Sequence, residues 1–412
     1  MLIQRSVSEE QPSTGGALAP VEMVVLQGTS FCNLNCSYCY LSEASRKNTA
    51  KMEIATLRTL FERILYSGHL GESLRVSWHS GEPFVLKPAY YREAIGTILA
   101  IRDAALGPNF DIQFDFQTNG TLIDQRWCDF LKEFEDIVSI GISCDGPAYL
   151  HDAHRRSWTH KPTHERTLAG MELMRRNGLQ FDAIAVVSRD GFEHPEALVE
   201  FFATFAGSIR DFHFNLHDEL DLISCEADSV DEFAERYRHF LFRMLAAYAR
   251  CEQNGQHLNI RNFASFYERV FSTRNDKPLY DARNMSRPFR TLNVMSNGDV
   301  STFYAGLTGD ECGDLYGDGR GFVLGNLLRT SLDDIAGSPK LQRVAADFES
   351  SHAACERDCS YYDMCAGGYN LVKFKRHGVF DVTQTPECFV HVKTFTDALL
   401  DDMNKGGAQR FF

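Results

Sequence analysis

A chain of 412 residues can contain one large domain and a smaller one, since single hydrophobic cores stop growing near about 250–300 residues. Its hydrophobic fraction of 44% and charged fraction of 24% are those of a globular protein, and nothing in the pattern indicates a membrane partner. The net charge of −14 argues against binding a nucleic-acid backbone, which requires clustered Lys and Arg, and favours a peptide or small-molecule substrate.

Residues 1–20 are rich in Ser, Glu, Gln, Pro and Gly and have few large apolar side chains, so they are expected to form a flexible tail. The same residues lack the apolar core of a signal peptide, which predicts a cytoplasmic protein. Twelve cysteines without an export signal favour metal binding or free thiols over a disulfide framework.

The first apolar run, VEMVVLQ from Val21, predicts a buried strand, and a loop with three cysteines follows it. Cys32, Cys36 and Cys39 have a C-x3-C-x2-C spacing. Cysteine thiolates hold the corners of an iron–sulfur cube, so three ligands leave one iron open to bind a small molecule. A zinc site would need a fourth ligand from elsewhere, and disulfides cannot use three thiols evenly.

This spacing, with the aromatic Tyr38 just before the third cysteine, resembles that of the radical SAM enzymes. The resemblance implies a [4Fe-4S] cluster on these cysteines, whose open iron chelates the amino and carboxylate groups of S-adenosylmethionine (SAM). It also implies that one electron from the cluster cleaves SAM and releases a 5′-deoxyadenosyl radical. Tyr38 is accordingly expected to be one of the cofactor-binding residues. A reductant such as flavodoxin or ferredoxin would supply that electron.

Strand and helix patterns then alternate along the chain. Predicted strands after the first are LRVSWHS (74–80), FDIQFDFQTNG (110–120), DIVSIGISCDG (136–146), FDAIAVVSRD (181–190) and RDFHFNLHD (210–218). Predicted helices lie within 54–65, 88–103, 124–134, 164–176 and 194–205. Six such units predict an α/β fold with a parallel sheet, a partial (β/α)6 TIM-like barrel, and an active site at the carboxyl ends of its strands.

The segment WHSGEPF follows the second strand and resembles the GGEP motif of the radical SAM enzymes. In that family the backbone and the glutamate of the motif hold the SAM amino group, which assigns Gly81 and Glu82 to this role. Ser80 replaces the first glycine of the motif. His79 is expected to be a buried strand histidine rather than a catalyst.

Polar residues also end the next strands. Asn119 in QTNG and Ser143 in SCDG are expected to hold the SAM ribose and carboxylate. Arg155 in HDAHRRSW is a further candidate for the carboxylate, because arginine binds that group with two parallel hydrogen bonds. A surface ion pair is the alternative interpretation of Arg155.

Residues 231–256 predict one long amphipathic helix. Its stripe of Phe233, Tyr237, Phe240 and Met244 is interpreted as core rather than as a cofactor pocket. The helix and the loop after it are expected to join two domains.

The C-terminal part begins with LNVMSNGDVSTFY, in which Asn297-Gly298 predicts a two-residue β-hairpin turn. A helix near 331–349 and a final helix from about Cys388 to Met403 are also predicted.

A second group of cysteines lies in this part of the chain, at Cys355, Cys359, Cys365 and Cys388. Four thiolates can hold a complete iron–sulfur cluster, and a four-cysteine zinc site is the competing interpretation. The spacing resembles the SPASM extension of radical SAM enzymes, which usually carries two auxiliary clusters.

The family positions for the cysteines of the other auxiliary cluster are occupied by Phe303, Thr330 and Tyr369. We therefore predict a single auxiliary [4Fe-4S] cluster on the four cysteines. The remaining cysteines are expected to be structural, with Cys312 the closest to the missing cluster: Cys128, Cys144, Cys225, Cys251 and Cys312.

Composition, element patterns and the resemblance together divide the chain into four predicted segments. They are a flexible tail (1–20), a radical SAM partial barrel (21–220), a helical bridge (221–285) and a SPASM-like auxiliary-cluster domain with a β-hairpin and helices (286–412).

Several sequence segments together resemble those of the cyclophane-forming peptide maturases. Among them are TSFCNLNCSYCY, DGPAYLHDAHR, FNLHDE and LYGDGRGFVLGN. Those enzymes join an aromatic ring carbon of a ribosomally made precursor peptide to the β-carbon of a nearby residue. The resemblance implies that the deoxyadenosyl radical removes a Cβ hydrogen and that the carbon radical adds to the ring. Rearomatisation then sheds one proton and one electron.

The auxiliary cluster is the expected acceptor of that electron, and a positioned base would accept the proton. His217, Asp218 and Glu219, at the end of the sixth strand, are the candidates for the base or for substrate contacts. The alternative is a charged loop in water.

The sequence is also compatible with other functions. A radical SAM maturase can instead oxidise or epimerise a residue, or form formylglycine in a sulfatase, although the missing cysteines count against the sulfatase route. A non-catalytic iron–sulfur or zinc protein that carries electrons is the alternative outside enzymes, and it would not turn SAM over.

Overall fold

The computed structural model describes residues 18–217, 230–271, 287–302, 314–368 and 370–406. Within them the strands, numbered in chain order, are β1 (Val21–Leu26), β2 (Leu70–Trp78), β3 (Asp111–Thr118), β4 (Val138–Ser143), β5 (Phe181–Val187), β6 (Ile209–Leu216), β7 (Thr291–Val294), β8 (Asp299–Thr302) and β9 (Gly325–Asn326).

Helices of the same residues, also in chain order, are α1 (Glu43–Lys47), α2 (Ile54–Leu65), α3 (Pro88–Ala105), α4 (Gln125–Glu133), α5 (Ala148–His154), α6 (His164–Arg176), α7 (Pro195–Ala203), α8 (Val230–Gln253), α9 (Arg261–Phe271), α10 (Leu332–Ala336), α11 (Pro339–Asp358), α12 (Tyr362–Cys365), α13 (Asn370–His377), α14 (Pro386–Cys388) and α15 (Phe395–Asn404). Two 3-10 turns lie at Pro83–Val85 and Asp190–Glu193, and a π-helical turn lies at Phe389–Thr394. Among these helices we find none with the length and apolar character needed to cross a membrane.

The described strands form one sheet in the order β6-β5-β4-β3-β2-β1-β7-β8-β9. Strands β1 to β6 are parallel and follow the order of the chain, so their carboxyl ends lie at one edge. This confirms the predicted α/β class and the six-stranded partial barrel. Strand β7 pairs in parallel with β1, and β8 and β9 continue the sheet in antiparallel pairing.

Successive side chains of a strand point to opposite faces of the sheet, which separates an apolar face from a polar one. Strand β3 shows this alternation. Phe114 and Phe116 are buried against the helices and stack on Trp78 of β2, at ring-centroid distances of 5.5 and 4.9 Å. Asp115, which lies between them, and Gln117, which follows them, lie on the opposite face. Each buried aromatic ring contributes on the order of 1.5–3 kcal/mol, which fixes which face packs under the helices.

The outer edge of β6 is covered by residues that precede and begin α9. The backbone N–H of Phe212 donates to the carbonyl of Asn259 at 2.8 Å. The Asn262 side chain accepts from Phe214 N at 3.0 Å and donates to Phe214 O at 2.9 Å. Asn262 therefore takes the place of a neighbouring strand at the open edge of the barrel.

The predicted hairpin forms, but its turn has three residues rather than two. Met295 N donates to Asp299 O at 2.9 Å, which leaves residues 296–298 in the loop. Gly298 has φ +85°, the left-handed conformation that such three-residue loops require at their last position. The Asn-Gly pair predicted the turn correctly and its length incorrectly.

The single helix predicted near 331–349 is wrong, because the chain forms α10 and α11 there. The Ser338 side chain accepts a hydrogen bond from Leu341 N at 3.2 Å, and Pro339 occupies the first position of α11. A capping serine followed by proline starts a new helix rather than continuing the previous one. Helix α8 confirms the long helix predicted for residues 231–256. The predicted final helix is also confirmed, and it consists of α14, the π-helical turn and α15.

The apolar stripe of α8 is buried, as predicted for a core face: Phe233, Tyr237, Phe240 and Met244 are all at most 5% exposed. No disulfide joins the cysteines in the described part of the chain. Cys128, Cys144 and Cys251 are buried there, whereas Cys225 and Cys312 lie outside the described residues.

Candidate functional site

The candidate site is built on the carboxyl ends of the parallel strands. The cysteine loop follows β1, the Gly81-Glu82 segment follows β2, and Asn119 follows β3. Parallel strands in chain order bring these segments to one edge of the sheet, although long stretches of sequence separate them.

Backbone hydrogen bonds hold the cysteine loop in place from two sides. Cys32 N donates to Arg46 O at 3.0 Å, at the end of α1. On the other side Trp158 Nε1 donates to Cys32 O at 2.9 Å, and Asn35 N donates to Arg156 O at 2.7 Å. The segment after α5 thus positions the loop, a contact that the sequence patterns did not predict.

The three thiols share one partly buried environment. Burial, together with the nearby Glu82, Cys36 and Cys39, raises the pKa of Cys32 to about 12. Burial also raises the pKa of Cys36, while the guanidinium group of Arg155 opposes that shift. Thiolates at this site therefore need positive charge beside them, which a bound iron cluster would supply.

The segment between β2 and the first 3-10 turn approaches the backbone of the cysteine loop closely. Glu82 N donates to Phe31 O at 2.8 Å. Gly81 has φ +82°, and a Cβ atom there would lie 2.6 Å from Thr29 O and 2.9 Å from Phe31 O. Glycine is therefore required at this contact. Ser80, the departure from the family motif, also adopts a left-handed conformation, with φ +72°.

Glu82 is fully enclosed and its carboxylate faces the protein. One oxygen accepts from Phe84 N at 2.9 Å and from Thr118 Oγ1 at 2.6 Å, and the other accepts from Asn119 N at 2.8 Å. Burial raises the pKa of Glu82 to about 7, although these three donors act in the opposite direction. The carboxylate thus fixes the end of β3 relative to the segment after β2.

Asn119 connects this network to the cysteine loop. Its Nδ2 donates to Asn33 Oδ1 at 2.9 Å, and its Oδ1 accepts from Thr121 N at 3.0 Å. Ser143, at the end of β4, accepts from Gln117 Nε2 at 2.9 Å. Both predicted residues lie at the strand ends with side chains already engaged in the protein.

Asp145 is a central residue of the site that the sequence analysis did not select. It is 3% exposed and accepts hydrogen bonds from Tyr38 OH, from Arg155 Nε at 3.0 Å and from Val186 N at 2.9 Å. Its position directly before Gly146, at the end of a predicted strand, was the available signal. Asp145 ties the cysteine loop to β5 and holds Arg155.

Arg155 belongs to a buried ion pair rather than the surface pair that the sequence left open. Its side chain is 8% exposed and that of Asp145 is 3% exposed. The guanidinium carbon lies 5.3 Å from the ring centroid of Tyr38. In the described part of the chain no acceptor binds its two terminal nitrogens, so they remain able to bind a carboxylate.

Two histidines predicted from strand ends lie near the cysteine loop. The ring of His217 lies 5.4 Å from that of Tyr38, and its backbone N donates to Val187 O at 2.8 Å. Asp218 and Glu219, the other base candidates, lie outside the described residues. Nδ1 of His79 accepts from Ser80 N at 2.6 Å, and burial lowers its pKa to about 4, which agrees with a structural role.

The four C-terminal cysteines line one cavity of about 610 Å³. Burial, together with the nearby Cys388, Cys355 and Cys359, raises the pKa of Cys365 to about 11. The same cavity is lined by residues 213–216 of β6, so this second cysteine group borders the barrel.

The donor set of this cavity fits an iron–sulfur cluster, whose corners four thiolates occupy. Around a single zinc ion, in contrast, each thiolate would lie within about 2.3 Å of one metal. In a cluster each cysteine instead binds a different iron.

Residues 26–202 match the sequence profile of the radical SAM superfamily. Over 382 residues, 92% of both chains, the protein is 29% identical to an uncharacterised protein of Synechocystis sp.. It is also 30% identical to the serine-type anaerobic sulfatase-maturating enzyme of Bacteroides thetaiotaomicron. That match extends over 187 residues, which are 44% of this chain and 43% of that enzyme.

Two solved structures resemble the whole chain. One is anSMEcpe with bound AdoMet and the Cp18Cys peptide, with a TM-score of 0.72, 19% identity and coverage of 95% of this chain and 99% of that one. The other is Streptococcus suis SuiB bound to its precursor peptide SuiA, with a TM-score of 0.58, 18% identity and coverage of 89% and 76%. At these identities the likeness establishes the fold.

Proposed function

We propose that this chain, whose residues 26–202 match the radical SAM profile, joins an aromatic ring carbon of a ribosomal precursor peptide to the β-carbon of a nearby residue. The observation that carries the proposal is the arrangement of two cysteine groups around the barrel. One group lies at the strand ends, and the other borders β6, whose end carries His217.

In this proposal Cys32, Cys36 and Cys39 hold the [4Fe-4S] cluster that binds SAM. When bound, the cluster and SAM supply a deoxyadenosyl radical that removes a Cβ hydrogen atom from the peptide. The backbone around Gly81 would hold the SAM amino group, since the Glu82 carboxylate is already enclosed by three donors. Arg155, held by Asp145, would bind the SAM carboxylate through its terminal nitrogens.

Ring closure requires the loss of a second hydrogen, as one proton and one electron. Cys355, Cys359, Cys365 and Cys388 would hold an auxiliary [4Fe-4S] cluster that supplies an electron acceptor. We assign the proton to a base at the end of β6, where His217, Asp218 and Glu219 are the candidates.

A peptide substrate is supported by the two structural relatives, each of which holds a peptide. The proposed crosslink is favoured over formylglycine formation because the positions expected for a further auxiliary cluster carry Phe303, Thr330 and Tyr369. Of these, Thr330 is described, and its hydroxyl donates to Asn326 O at 3.0 Å.

The experiment is anaerobic co-expression of the protein with the short open reading frames that adjoin its gene. A crosslinked product lacks two hydrogen atoms, retains no aldehyde that reacts with a hydrazide, and shows one linked pair of residues in tandem mass spectra. A product that reacts with hydrazide would replace the crosslink by formylglycine formation. Absence of deoxyadenosine with any peptide would instead indicate an electron carrier.

The base assignment has its own test. Asp218→Asn or His217→Gln should leave deoxyadenosine formation intact and stop crosslinking, because hydrogen abstraction precedes the proton loss. Crosslinking at the wild-type rate removes the substituted residue from the candidates. Glu219→Gln completes the comparison.

Sulfatase maturation is the second candidate, since the 30% identity to the Bacteroides thetaiotaomicron enzyme supports it. Incubation of the reconstituted protein with SAM, a reductant and a sulfatase-derived Cys or Ser peptide tests it. Formation of the aldehyde would favour this candidate over the crosslink.

A further inference from the structure

A buried lysine contacts one of the four cysteines in the cavity. Lys373 on α13 is 5% exposed. Its Nζ lies 3.1 Å from Cys355 Sγ, 2.8 Å from Ser351 Oγ and 3.2 Å from Ser351 O. These three acceptors match the three N–H bonds of an ammonium group.

The charge of this lysine needs a negatively charged partner, and the two Ser351 acceptors do not supply one. Burying an isolated ammonium is costly unless it is paired or fully hydrogen-bonded. Both Ser351 acceptors are neutral, and no carboxylate in the described part of the chain pairs with Lys373. The Cys355 sulfur is the remaining acceptor, and as a thiolate it would neutralise the charge.

We propose that Lys373 raises the reduction potential of the auxiliary cluster by holding its ammonium group against the sulfur of Cys355. The inference rests on the proposed function, which places the cluster on these cysteines. Hydrogen bonds to the cluster sulfurs and nearby charge are two of the factors that set such potentials. A positive charge favours the reduced form, which carries one more electron.

A higher potential suits the part assigned to this cluster, which is to accept an electron rather than to donate one. Lys373 is therefore a tuning residue and does not contact the substrate. It acts on the cluster through Cys355, so its substitution changes the potential without removing a ligand.

The test measures the midpoint potential of the auxiliary cluster by anaerobic redox titration followed by electron paramagnetic resonance. Cys32, Cys36 and Cys39 are changed to Ala in every sample, so that only the auxiliary cluster gives a signal. Lys373→Met should lower the equilibrium constant for reduction at least tenfold, which is 59 mV for a one-electron couple. Lys375→Met, at an exposed lysine of the same helix, should leave the potential unchanged.

Two further variants separate charge from hydrogen bonding and remain available if Lys373→Met does not assemble. Lys373→Gln keeps a donor without the charge and should also lower the potential, whereas Lys373→Arg keeps the charge and should stay near wild type. Equal potentials for Lys373→Gln and the Lys375→Met control would overturn the proposal.

Iron analysis of the same samples distinguishes this inference from the proposed function. About four irons per chain are expected when only the auxiliary cluster is present. Zinc or no metal there would remove the electron route of the proposed function. A full iron content with an unchanged potential in Lys373→Met would remove only the role of Lys373.

Discussion

At the scale of single residues, Gly81 lies where two segments of the site approach each other closely. A Cβ there would lie 2.6 Å from Thr29 O, 2.8 Å from Ser30 C and 2.9 Å from Phe31 O, and all three are backbone atoms that cannot move independently. The left-handed φ of +82° adds a cost for any side chain.

We expect Gly81→Ala to destabilise the fold by at least about 2 kcal/mol and to reduce iron binding at the cysteine loop. Urea unfolding and iron content are the measurements. Gly96→Ala is the matched control, because Gly96 lies on α3 with no atom within 4 Å of the added Cβ. That change should instead stabilise the helix by about 0.5–1 kcal/mol. Equal effects at both positions would contradict the steric argument.

His151 gives the site a dependence on pH. It is completely buried, its Nδ1 accepts from Asp145 N at 3.4 Å and its Nε2 contacts Thr163 Oγ1 at 3.2 Å. Burial, with the charge of Arg155, lowers the pKa of His151 to about 4. The folded state therefore favours the neutral ring, whereas the unfolded chain takes up a proton below its ordinary pKa of about 6.5.

Because this pKa is lower in the folded state, His151 contributes full stability above about pH 6.5 and loses it as the pH falls towards 4. The expected loss is about 3 kcal/mol. The difference in unfolding free energy between wild type and His151→Gln should therefore shrink as the pH falls from about 6.5 to about 4. His160→Asn, at an exposed position of the same region, should follow wild type. A constant difference for His151→Gln would show that His151 does not titrate differently on folding.

At the scale of single elements, a side chain holds the outer edge of strand β6. Asn262 pairs with both backbone groups of Phe214 and stands in for a neighbouring strand. The end of β6 leads to His217, and its residues border the second cysteine group. Loosening this edge would therefore affect both parts of the site.

Asn262→Ala should cost about 1–3 kcal/mol, because it leaves a backbone N–H and a C=O of the edge strand unpaired. Hydrogen exchange at the Phe214 amide should become faster. Asn297→Ala, in the hairpin turn on the far side of the sheet, is the control and should leave Phe214 unaffected. Unchanged protection of Phe214 in Asn262→Ala would mean that other contacts hold the edge.

At the scale of the whole molecule, the two cysteine groups are expected to act as separate metal sites. Cys39 and Cys355 are more than 300 residues apart, and each group is held by its own elements. Loss of one group should therefore leave the other intact.

Anaerobic reconstitution should give about eight irons per chain. Changing Cys32, Cys36 and Cys39 to Ala should leave about four irons and abolish SAM cleavage. Changing Cys355, Cys359 and Cys388 to Ala should also leave about four irons, but deoxyadenosine should still form. About twelve irons in the wild type would require a third cluster, and about four with zinc would make the second group a structural zinc site.

The sequence by itself determined the six parallel strands and both cysteine groups, because local patterns encode them. Alternating or continuous apolar residues mark each strand, and the spacing of the cysteines marks both groups as candidate metal ligands. It also located Gly81, Glu82 and Asn119 at strand ends, since parallel order alone brings those ends together. Ser338 and Pro339 also predict that residues 331–358 form two helices, because this pair is typical of a helix start. The helical periodicity across the segment favoured a single helix instead.

Only the tertiary structure decided how those residues are used. It placed Asp145 between Tyr38 and Arg155, buried the ion pair, and brought Lys373 against Cys355. It also joined β7 to β1 and closed the edge of β6 with Asn262. These contacts link residues distant in sequence through single hydrogen bonds, which leave no periodic pattern in the chain. They form only after hydrophobic burial has fixed the strands and helices that carry them.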